Sequence, residues 1–288
     1  MENIFPAKLL LFGEYTILNG SQALAIPFYQ WQGKWKQHQL EGHISIIPEY
    51  YRWLHKVELI NDEVLEKISC EFRDGWMYDS DIPVGYGVGS SGAYVAAIYD
   101  RYLKDMEQLD FQKTIDKLAQ MESFFHGSSS GMDPLVSFSK KAIYKDDHGQ
   151  FHPVTDPGWP EGFKVYLLDS GISRETAPLV KAYKDLFAES SFAQNIQRQL
   201  IPMTEHALHV YLTGSGSLLS DCLSFISQFQ REHFQSMIPG KVKDQWDQLA
   251  SQPGVHVKFC GAGGGVYFLV VSTEQFIDLT AFSLIALN

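Results

Sequence analysis

Apolar residues follow two distinct patterns along the 288-residue chain. Apolar spacings of three and four predict amphipathic helices, and short apolar runs beside turn residues predict strands. By these criteria the sequence predicts helices over residues 90–104, 111–125, 176–187, 206–229 and 242–250. It predicts strands over residues 9–12, 24–26, 163–168, 255–260 and 266–271, and the first two flank an Asn19-Gly20 turn signal.

The order of these elements predicts the fold class. Helices and strands intermix in both halves of the chain, which indicates an α+β protein. Residues 145–162 are polar and rich in glycine and proline, so this segment is the predicted linker. We therefore expect two domains, over residues 1–155 and 156–288. Residues 44–78 mix aromatic and charged positions without a clear period, and they predict no element.

Composition narrows the classes of partner. Thirty-four acidic residues against twenty-three basic ones give a formal net charge of −11, which opposes nucleic acid and anionic membranes as partners. Three widely spaced cysteines form neither a disulfide framework nor a zinc pattern. The amino terminus lacks the pattern of a signal peptide, and no apolar run approaches the roughly 20 residues of a membrane span. The net charge does not exclude an anionic substrate, because a local cationic pocket can override the overall field. We expect a reduced, soluble, cytoplasmic protein.

The sharpest chemical signal is the glycine-rich segment PVGYGVGSSGA at residues 83–93, which opens directly into a predicted helix. Glycines let backbone N–H groups approach an anion, and a helix N-terminus adds partial positive charge and unpaired donors. Ser90 and Ser91 add hydroxyl groups that can bind phosphate or magnesium. The segment predicts a phosphate cradle built without lysine. The candidate phosphate-binding residues are Gly85, Gly87, Gly89, Ser90, Ser91 and Gly92.

Two other phosphate motifs do not fit this segment. The P-loop requires a lysine, and none lies in or beside it. Residues 87–92 match the letters of a dinucleotide fingerprint, but no buried strand precedes them and no acidic strand end follows. The open alternative is a glycine-rich connection that binds nothing.

Candidate polar groups lie in two other segments. Glu122, near the end of a predicted helix, and Asp133, after a small-residue turn, could supply a magnesium ligand and a group that takes a hydroxyl proton. Alternatively, they are a solvated helix residue and an ordinary turn former. His126 is interpreted as a helix-capping histidine. A second glycine loop, over residues 260–265, contains four glycines in five positions; alone it is as typical of a plain turn as of a site.

Three segments taken together resemble the GHMP kinases, the family of galactokinase, homoserine kinase, mevalonate kinase and phosphomevalonate kinase. They are PAKLLLFGEY at residues 6–15, the loop at 83–93 and the loop at 260–265. Within the family, Glu122 and HGSSSGMD at residues 126–133 look most like the mevalonate kinase branch. Gly92 departs from the family pattern because it replaces the usual alanine.

The resemblance implies a two-domain GHMP kinase fold, with a ribosomal-protein-S5-like N-terminal domain and a ferredoxin-like C-terminal domain. It implies a small-molecule kinase with ATP and Mg²⁺ as cofactors and an alcohol as acceptor. The first candidate is mevalonate, which would become 5-phosphomevalonate in isoprenoid biosynthesis. In that scheme Asp133 is the base or orienting group, Lys8 is its cationic partner, and Ser91 and Glu122 hold magnesium. The implied substrate contacts are Glu14, Gly261, Ala262, Gly263 and Gly264.

Alternatives within this scheme stay open. The acceptor could be phosphomevalonate or a sugar. Alternatively, the chain could be a catalytically silent relative of these kinases that binds ligands or partners. The expected state is a monomer or a homodimer.

Overall fold

The computed structural model describes residues 3–39, 48–107, 110–172, 176–261, 267–273 and 282–287. Contacts divide the chain into two compact units, each made of several segments. The first unit comprises Met1–Lys8, Pro27–Pro83 and Val88–Lys141, and the second comprises Leu9–Ile26, Val84–Gly87 and Ala142–Asn288. These units have other bounds than the domains expected over residues 1–155 and 156–288, which stay a prediction. Within the described ranges, none of the helices is both long and apolar enough to cross a bilayer.

Two strands open the chain and contribute residues to both units. They are β1 (Ile4–Phe12) and β2 (Ala23–Gln37). The 3₁₀ turn Thr16–Asn19 lies between them and ends at Gly20, whose φ of 87° is left-handed. The predicted pair of strands around Asn19-Gly20 is therefore present, and both strands extend further than their apolar runs indicate.

The first unit packs helices beside the outer part of β2. Its further elements are α1 (Glu49–Lys56), α2 (Asp62–Arg73), β3 (Trp76–Ser80), α3 (Ser90–Tyr102), α4 (Lys104–Glu107), α5 (Phe111–His126) and α6 (Met132–Ser139). Strand β3 runs antiparallel to β2, with Ser80 opposite Gly33. Helix α3 is buried along most of its length and contacts both α5 and α6. This three-helix contact positions the candidate site.

Side-chain caps explain where two of these helices begin. The Asn61 carboxamide accepts a hydrogen bond from the Val64 N–H at 2.9 Å, at the start of α2. The Asp110 carboxylate accepts one from the Lys113 N–H at 2.9 Å, at the start of α5. Each cap satisfies a donor that lacks an intrahelical partner, which is typically worth about 1 kcal/mol.

The second unit contains an antiparallel four-stranded sheet and most of the remaining helices. Its elements are β4 (Ala142–Lys145), β5 (Phe151–Val154), β6 (Lys164–Asp169), α7 (Thr176–Phe187), α8 (Ser190–Asn195), α9 (Ile201–Thr213), α10 (Gly216–His233), α11 (Gly240–Ala250), β7 (Val255–Phe259), β8 (Tyr267–Ser272) and β9 (Leu284–Ala286). The strand order is β7-β8-β6-β9, and every neighbouring pair is antiparallel. Strands β7 and β8 are almost wholly buried. The prediction of an α+β protein is confirmed.

The structure differs from the predicted elements in several places. The helix predicted over residues 206–229 is divided into α9 and α10 at Gly214, whose φ of 81° is left-handed. Residues 49–80 form α1, α2 and β3, although their mixture of aromatic and charged residues indicates no period. The segment predicted as a linker contains β5, which pairs with β4 across a turn at Asp146, whose N–H donates to the Gln150 carbonyl at 3.0 Å. This hairpin escapes prediction because β5 is short and half-exposed, so it shows no apolar alternation.

Candidate active site

An ion pair joins two of the predicted site residues in the first unit. The ammonium of Lys8, on β1, lies 3.0 Å from Oδ2 of Asp133, in the first turn of α6. The Lys8 side chain is 8% exposed, whereas the Asp133 side chain is 35% exposed. The ammonium is thus held in the protein interior, and the carboxylate stays accessible to a molecule from solvent.

Helix α6 is tied to β1 by a second contact of the same elements. The buried Ser137 hydroxyl donates to the Pro6 carbonyl at 2.7 Å. Ser137 follows Asp133 by four residues on the helix, and Pro6 precedes Lys8 by two on the strand. Residues four apart on a helix share a face, whereas Pro6 contributes its backbone carbonyl. The hydrogen bond therefore holds the helix face that carries Asp133 against the strand that carries Lys8.

Two glycines of the first glycine loop allow this pair to lie against the start of α3. A Cβ on Gly89, whose φ is 79°, would lie 2.7 Å from Cγ of Lys8. A Cβ on Gly92 would lie 2.8 Å from the carbonyl carbon of Asp133 and 2.9 Å from its Cβ. Such distances are too short for any side chain, so these glycines are required by close approach. Gly92, predicted to contact phosphate, is buried against Asp133.

The first turn of α3 presents hydroxyl and N–H groups beside this pair. Helix α3 starts at Ser90, and the residue before it, Gly89, has no side chain to cap the helix. The first-turn N–H groups of a helix lack intrahelical acceptors and carry partial positive charge. This end of α3 is therefore suited to an anion, as the sequence predicts for Ser90 and Ser91.

Ser91 and Glu122 also lie together in the first unit. The Ser91 hydroxyl is 3.2 Å from Oε1 of Glu122, which lies in the last part of α5. The other carboxylate oxygen, Oε2, accepts a hydrogen bond from the Ser129 hydroxyl. Ser129 Oγ in turn accepts from the Gly131 N–H at 2.9 Å, at the start of α6. This network positions the end of α5 relative to the helix that carries Asp133.

The Glu122 carboxylate is in an unfavourable environment for its charge. It is 3% exposed, and burial, followed by repulsion from Asp133, raises the pKa of Glu122 to about 7. Hydrogen bonds from Ser129 and Ser91 and the positive charge of Lys8 oppose that rise. A bound cation would remove the penalty because it favours the charged carboxylate.

The donor set agrees with a hard divalent cation held partly by phosphate. Ser91 and Glu122 supply oxygen ligands, the type that Mg²⁺ prefers. In the described ranges, no group of three or more His, Cys, Asp or Glu side chains is arranged to hold a metal ion. Magnesium commonly takes only one or two protein carboxylates, with phosphate oxygens and water completing its shell. The two residues therefore fit magnesium in that mode.

His126 contacts this group, a contact that its interpretation as a helix-capping histidine did not include. Its Nε2 lies 3.0 Å from the Ser91 hydroxyl, and the ring is exposed at the end of α5. The same helix carries Glu122 four residues earlier. Residues four apart on a helix share a face, so the spacing of Glu122 and His126 was a signal that could have identified the contact.

The remaining predicted loop residues lie in the second unit or outside the described residues. Gly85 and Gly87 have φ values of 77° and 70°, which favour glycine. A Cβ on Gly261 would lie 3.5 Å from the Gly87 carbonyl oxygen, so the two glycine loops approach each other in this unit. Residues 262–264, which include predicted substrate contacts, lie outside the described residues.

Glu14, predicted to contact substrate, is 3% exposed and forms an ion pair with Lys258 in the second unit. The Lys258 ammonium also donates to the carbonyl oxygens of Leu11 at 2.8 Å and Phe259 at 2.7 Å. An ammonium has three donors, and these three acceptors satisfy all of them. The sequence analysis did not identify Lys258, because a single lysine inside an apolar strand carries no motif.

Several known proteins are similar to this chain in sequence. The sequence profile described as "GHMP kinases N terminal domain" matches residues 56–141. A mevalonate kinase of Pyrococcus abyssi is 27% identical over 211 residues, which cover 61% of this chain and 59% of that protein. A mevalonate kinase of Archaeoglobus fulgidus is 22% identical over 90% of this chain and 88% of that protein.

Two solved structures match over almost the whole chain. The mevalonate kinase of Methanococcus jannaschii matches with a TM-score of 0.64 and 15% identity, covering 99% of this chain and 97% of that one. The galactokinase of Lactococcus lactis, complexed with galactose, matches with a TM-score of 0.66 and 13% identity, covering 98% and 92%. The predicted GHMP kinase fold is confirmed. Because enzymes with different acceptors share this fold, the fold does not select the acceptor.

Proposed function

The chain belongs to the GHMP kinase family, and from that membership we propose that it transfers the terminal phosphoryl group of ATP to a hydroxyl group of mevalonate. The observation that carries the proposal is the 3.0 Å contact between the Lys8 ammonium and the half-exposed Asp133 carboxylate. It lies in the unit that also holds Ser91 and Glu122. Phosphoryl transfer depends mainly on positioning and on neutralising charge, and this group of residues can do both.

Asp133 has the role of orienting the acceptor hydroxyl and taking its proton. Its carboxylate is accessible, and Ser137 and Gly92 hold the helix that carries it close to β1 and α3. The Lys8 ammonium beside it stabilises negative charge that develops on the acceptor oxygen. A fixed ammonium in a buried position stabilises such charge more strongly than one in water.

ATP and Mg²⁺ are the proposed cofactors. The first-turn N–H groups of α3 and the Ser90 hydroxyl are suited to phosphate oxygens, and Ser91 and Glu122 are suited to magnesium. When bound, magnesium would neutralise phosphate charge. Gly85, Gly87, Gly89 and Gly92 of the same loop stay predicted phosphate contacts, and Glu14 and residues 261–264 stay predicted substrate contacts.

Mevalonate is favoured over other acceptors by sequence. Glu122 and Asp133 occur at the spacing of the mevalonate kinase branch, and the relatives in Pyrococcus and Archaeoglobus are mevalonate kinases. The likeness to galactokinase keeps a sugar acceptor as the second candidate. Phosphomevalonate is the third.

The test is a panel of acceptors with purified protein, ATP and Mg²⁺. Mevalonate, phosphomevalonate and galactose are incubated separately, and the products are identified by mass. We expect phosphorylated mevalonate as the main product. Asp133→Ala should abolish it while retaining binding of a fluorescent ATP analogue, and Asp147→Asn, which removes an exposed carboxylate, serves as the control. Faster transfer to galactose would reassign the acceptor, and absence of transfer to all three would reject the proposal.

A further inference from the structure

The Ser91 hydroxyl lies within hydrogen-bond distance of two groups. Oε1 of Glu122 is 3.2 Å away, and Nε2 of His126, which accepts a hydrogen bond in the tautomer that carries its proton on Nδ1, is 3.0 Å away. A serine hydroxyl has one proton, so it can donate to only one of them at a time. Ser129 already donates to the other oxygen of Glu122. The direction of the Ser91 O–H bond therefore determines which oxygen lone pairs of Ser91 and Glu122 are available to a cation.

The two directions have different consequences for a cation. With the proton toward Glu122, the hydroxyl hydrogen occupies Oε1 and lies between the two oxygens proposed as ligands. With the proton toward His126, both Oε1 and the Ser91 lone pairs are available. A cation is attracted to oxygen lone pairs and repelled by a hydroxyl hydrogen that points at it. Only the second arrangement lets both side chains bind the same ion.

We propose that His126 is a positioning residue: when the cation binds, Nε2 of His126 takes the place of Glu122 as acceptor of the Ser91 hydrogen bond and so directs the Ser91 oxygen toward magnesium. The inference rests on the proposed function, because it concerns the same cation. It assigns to His126 a role through Ser91, without direct contact between the imidazole and the ion. Among the described residues, Ser91 is the hydrogen-bond partner of the His126 imidazole.

The backbone supports this placement of the imidazole. His126 is the last residue of α5, and Gly127 follows in a positive-φ conformation with φ of 74°. The Gly127 N–H donates to the Ser123 carbonyl at 2.7 Å, which closes the last turn. Glu122 and His126, four residues apart, thus present one carboxylate and one imidazole on the same helix face. Ser91, from the start of α3, contacts both.

A purely structural histidine predicts a different outcome. A histidine in the last turn of a helix can stabilise the helix dipole. In that case its loss would lower stability and leave cation binding unchanged. Measurements of cation affinity therefore separate the two roles.

The experiment compares three variants with wild type. His126→Leu removes the acceptor, and His126→Gln places an amide oxygen at about the distance of Nε2 from the backbone. His55→Leu, at the last turn of α1 in the same unit, is the matched control. Binding of Mn²⁺ is titrated by electron paramagnetic resonance with a non-hydrolysable ATP analogue. The Mg²⁺ dependence of mevalonate phosphorylation is measured in parallel, and thermal unfolding checks the fold.

We expect His126→Leu to weaken Mn²⁺ binding and raise the half-saturating Mg²⁺ concentration by about tenfold, the usual effect of removing a partner of a metal ligand. His126→Gln should recover most of the affinity, and the control should match wild type. Wild-type Mn²⁺ affinity in His126→Leu would overturn the inference, as would equal impairment of the leucine and glutamine variants. If wild type phosphorylates no acceptor, the proposed function fails, and the Mn²⁺ titrations still decide the role of His126.

Discussion

Replacing Glu122 with glutamine should stabilise the metal-free protein at neutral and alkaline pH. Glu122 is 3% exposed, and its burial and the nearby Asp133 charge raise its pKa from the ordinary 4.5 to about 7. Glutamine has the shape of a protonated carboxyl group and no charge. Its amide can still exchange hydrogen bonds with the hydroxyls of Ser91 and Ser129, because a hydroxyl can donate or accept.

The magnitude follows from proton linkage. The folded protein keeps the Glu122 proton up to about pH 7, whereas the unfolded chain releases it near pH 4.5. Between these values the folded state binds more protons, so the free energy of unfolding falls as pH rises. The contribution of protonated Glu122 to the free energy of unfolding is fully present below pH 4.5 and is lost above pH 7. The difference between 4.5 and 7 corresponds to about 3 kcal/mol.

The assay is denaturant unfolding in the presence of a chelator. Wild type, Glu122→Gln and the control Glu161→Gln, which removes an exposed carboxylate, are compared at about pH 5 and about pH 8. The stability advantage of Glu122→Gln over wild type should grow by about 2–3 kcal/mol between these conditions. The control should show no such growth. With Mg²⁺ and a non-hydrolysable nucleotide the order should reverse, because a ligand stabilises the form that binds it better.

A difference between Glu122→Gln and wild type that does not change with pH would contradict the raised pKa. An unchanged Mg²⁺ requirement in the active variant would contradict the role of Glu122 as a ligand. Each result tests a separate step, since the first concerns the metal-free protein and the second the loaded enzyme.

Three further substitutions test the surrounding structure. Lys8→Met should lower kcat by about 10²–10³-fold with little change in nucleotide affinity, as expected for loss of one group that stabilises developing charge; steady-state kinetics and analogue binding measure both. Gly92→Ala should lower kcat by about tenfold or more, because the added Cβ would meet Asp133 at 2.8 Å and displace the carboxylate. An unchanged kcat, together with the gain in stability typical of alanine in a helix, would refute this reasoning. Lys258→Met should destabilise the protein by about 3–5 kcal/mol in denaturant unfolding, because it removes the ammonium that pairs with the buried Glu14 carboxylate. A double variant that also replaces Glu14 with leucine should recover part of the loss.

Elements with a strong apolar period were predictable from sequence. Helix α7 has the predicted bounds, and α5 differs from the predicted range by one residue. Prediction failed where elements are short and aromatic, as in α1, or half-exposed, as in β5. Their positions are determined by tertiary contacts. The Tyr50 hydroxyl, for example, anchors α1 by donating to the Met121 carbonyl at 3.0 Å.

The candidate site was predictable to the level of motifs. Lys8, Ser91, Glu122 and Asp133 stand in segments that the family pattern identifies, and the structure brings Lys8 to Asp133 and Ser91 to Glu122. The geometry also places Gly92 against Asp133, a contact that depends on how closely two helices approach and that no local pattern encodes. The predicted contact of Gly92 with phosphate stays a prediction.

At one carboxylate, Glu122, the same negative charge lowers the stability of the fold and attracts the cation. Burial and the charge of Asp133 disfavour the charged form of Glu122 more than its hydrogen bonds and the charge of Lys8 favour it, so the metal-free protein favours a proton on Glu122 up to about pH 7. A divalent cation that binds Ser91 and Glu122 would replace this proton. The lost stability and the affinity for the cation therefore have the same origin, the buried negative charge of one carboxylate. A substitution that relieves the first must weaken the second, which is the usual conflict between stability and function at an active site.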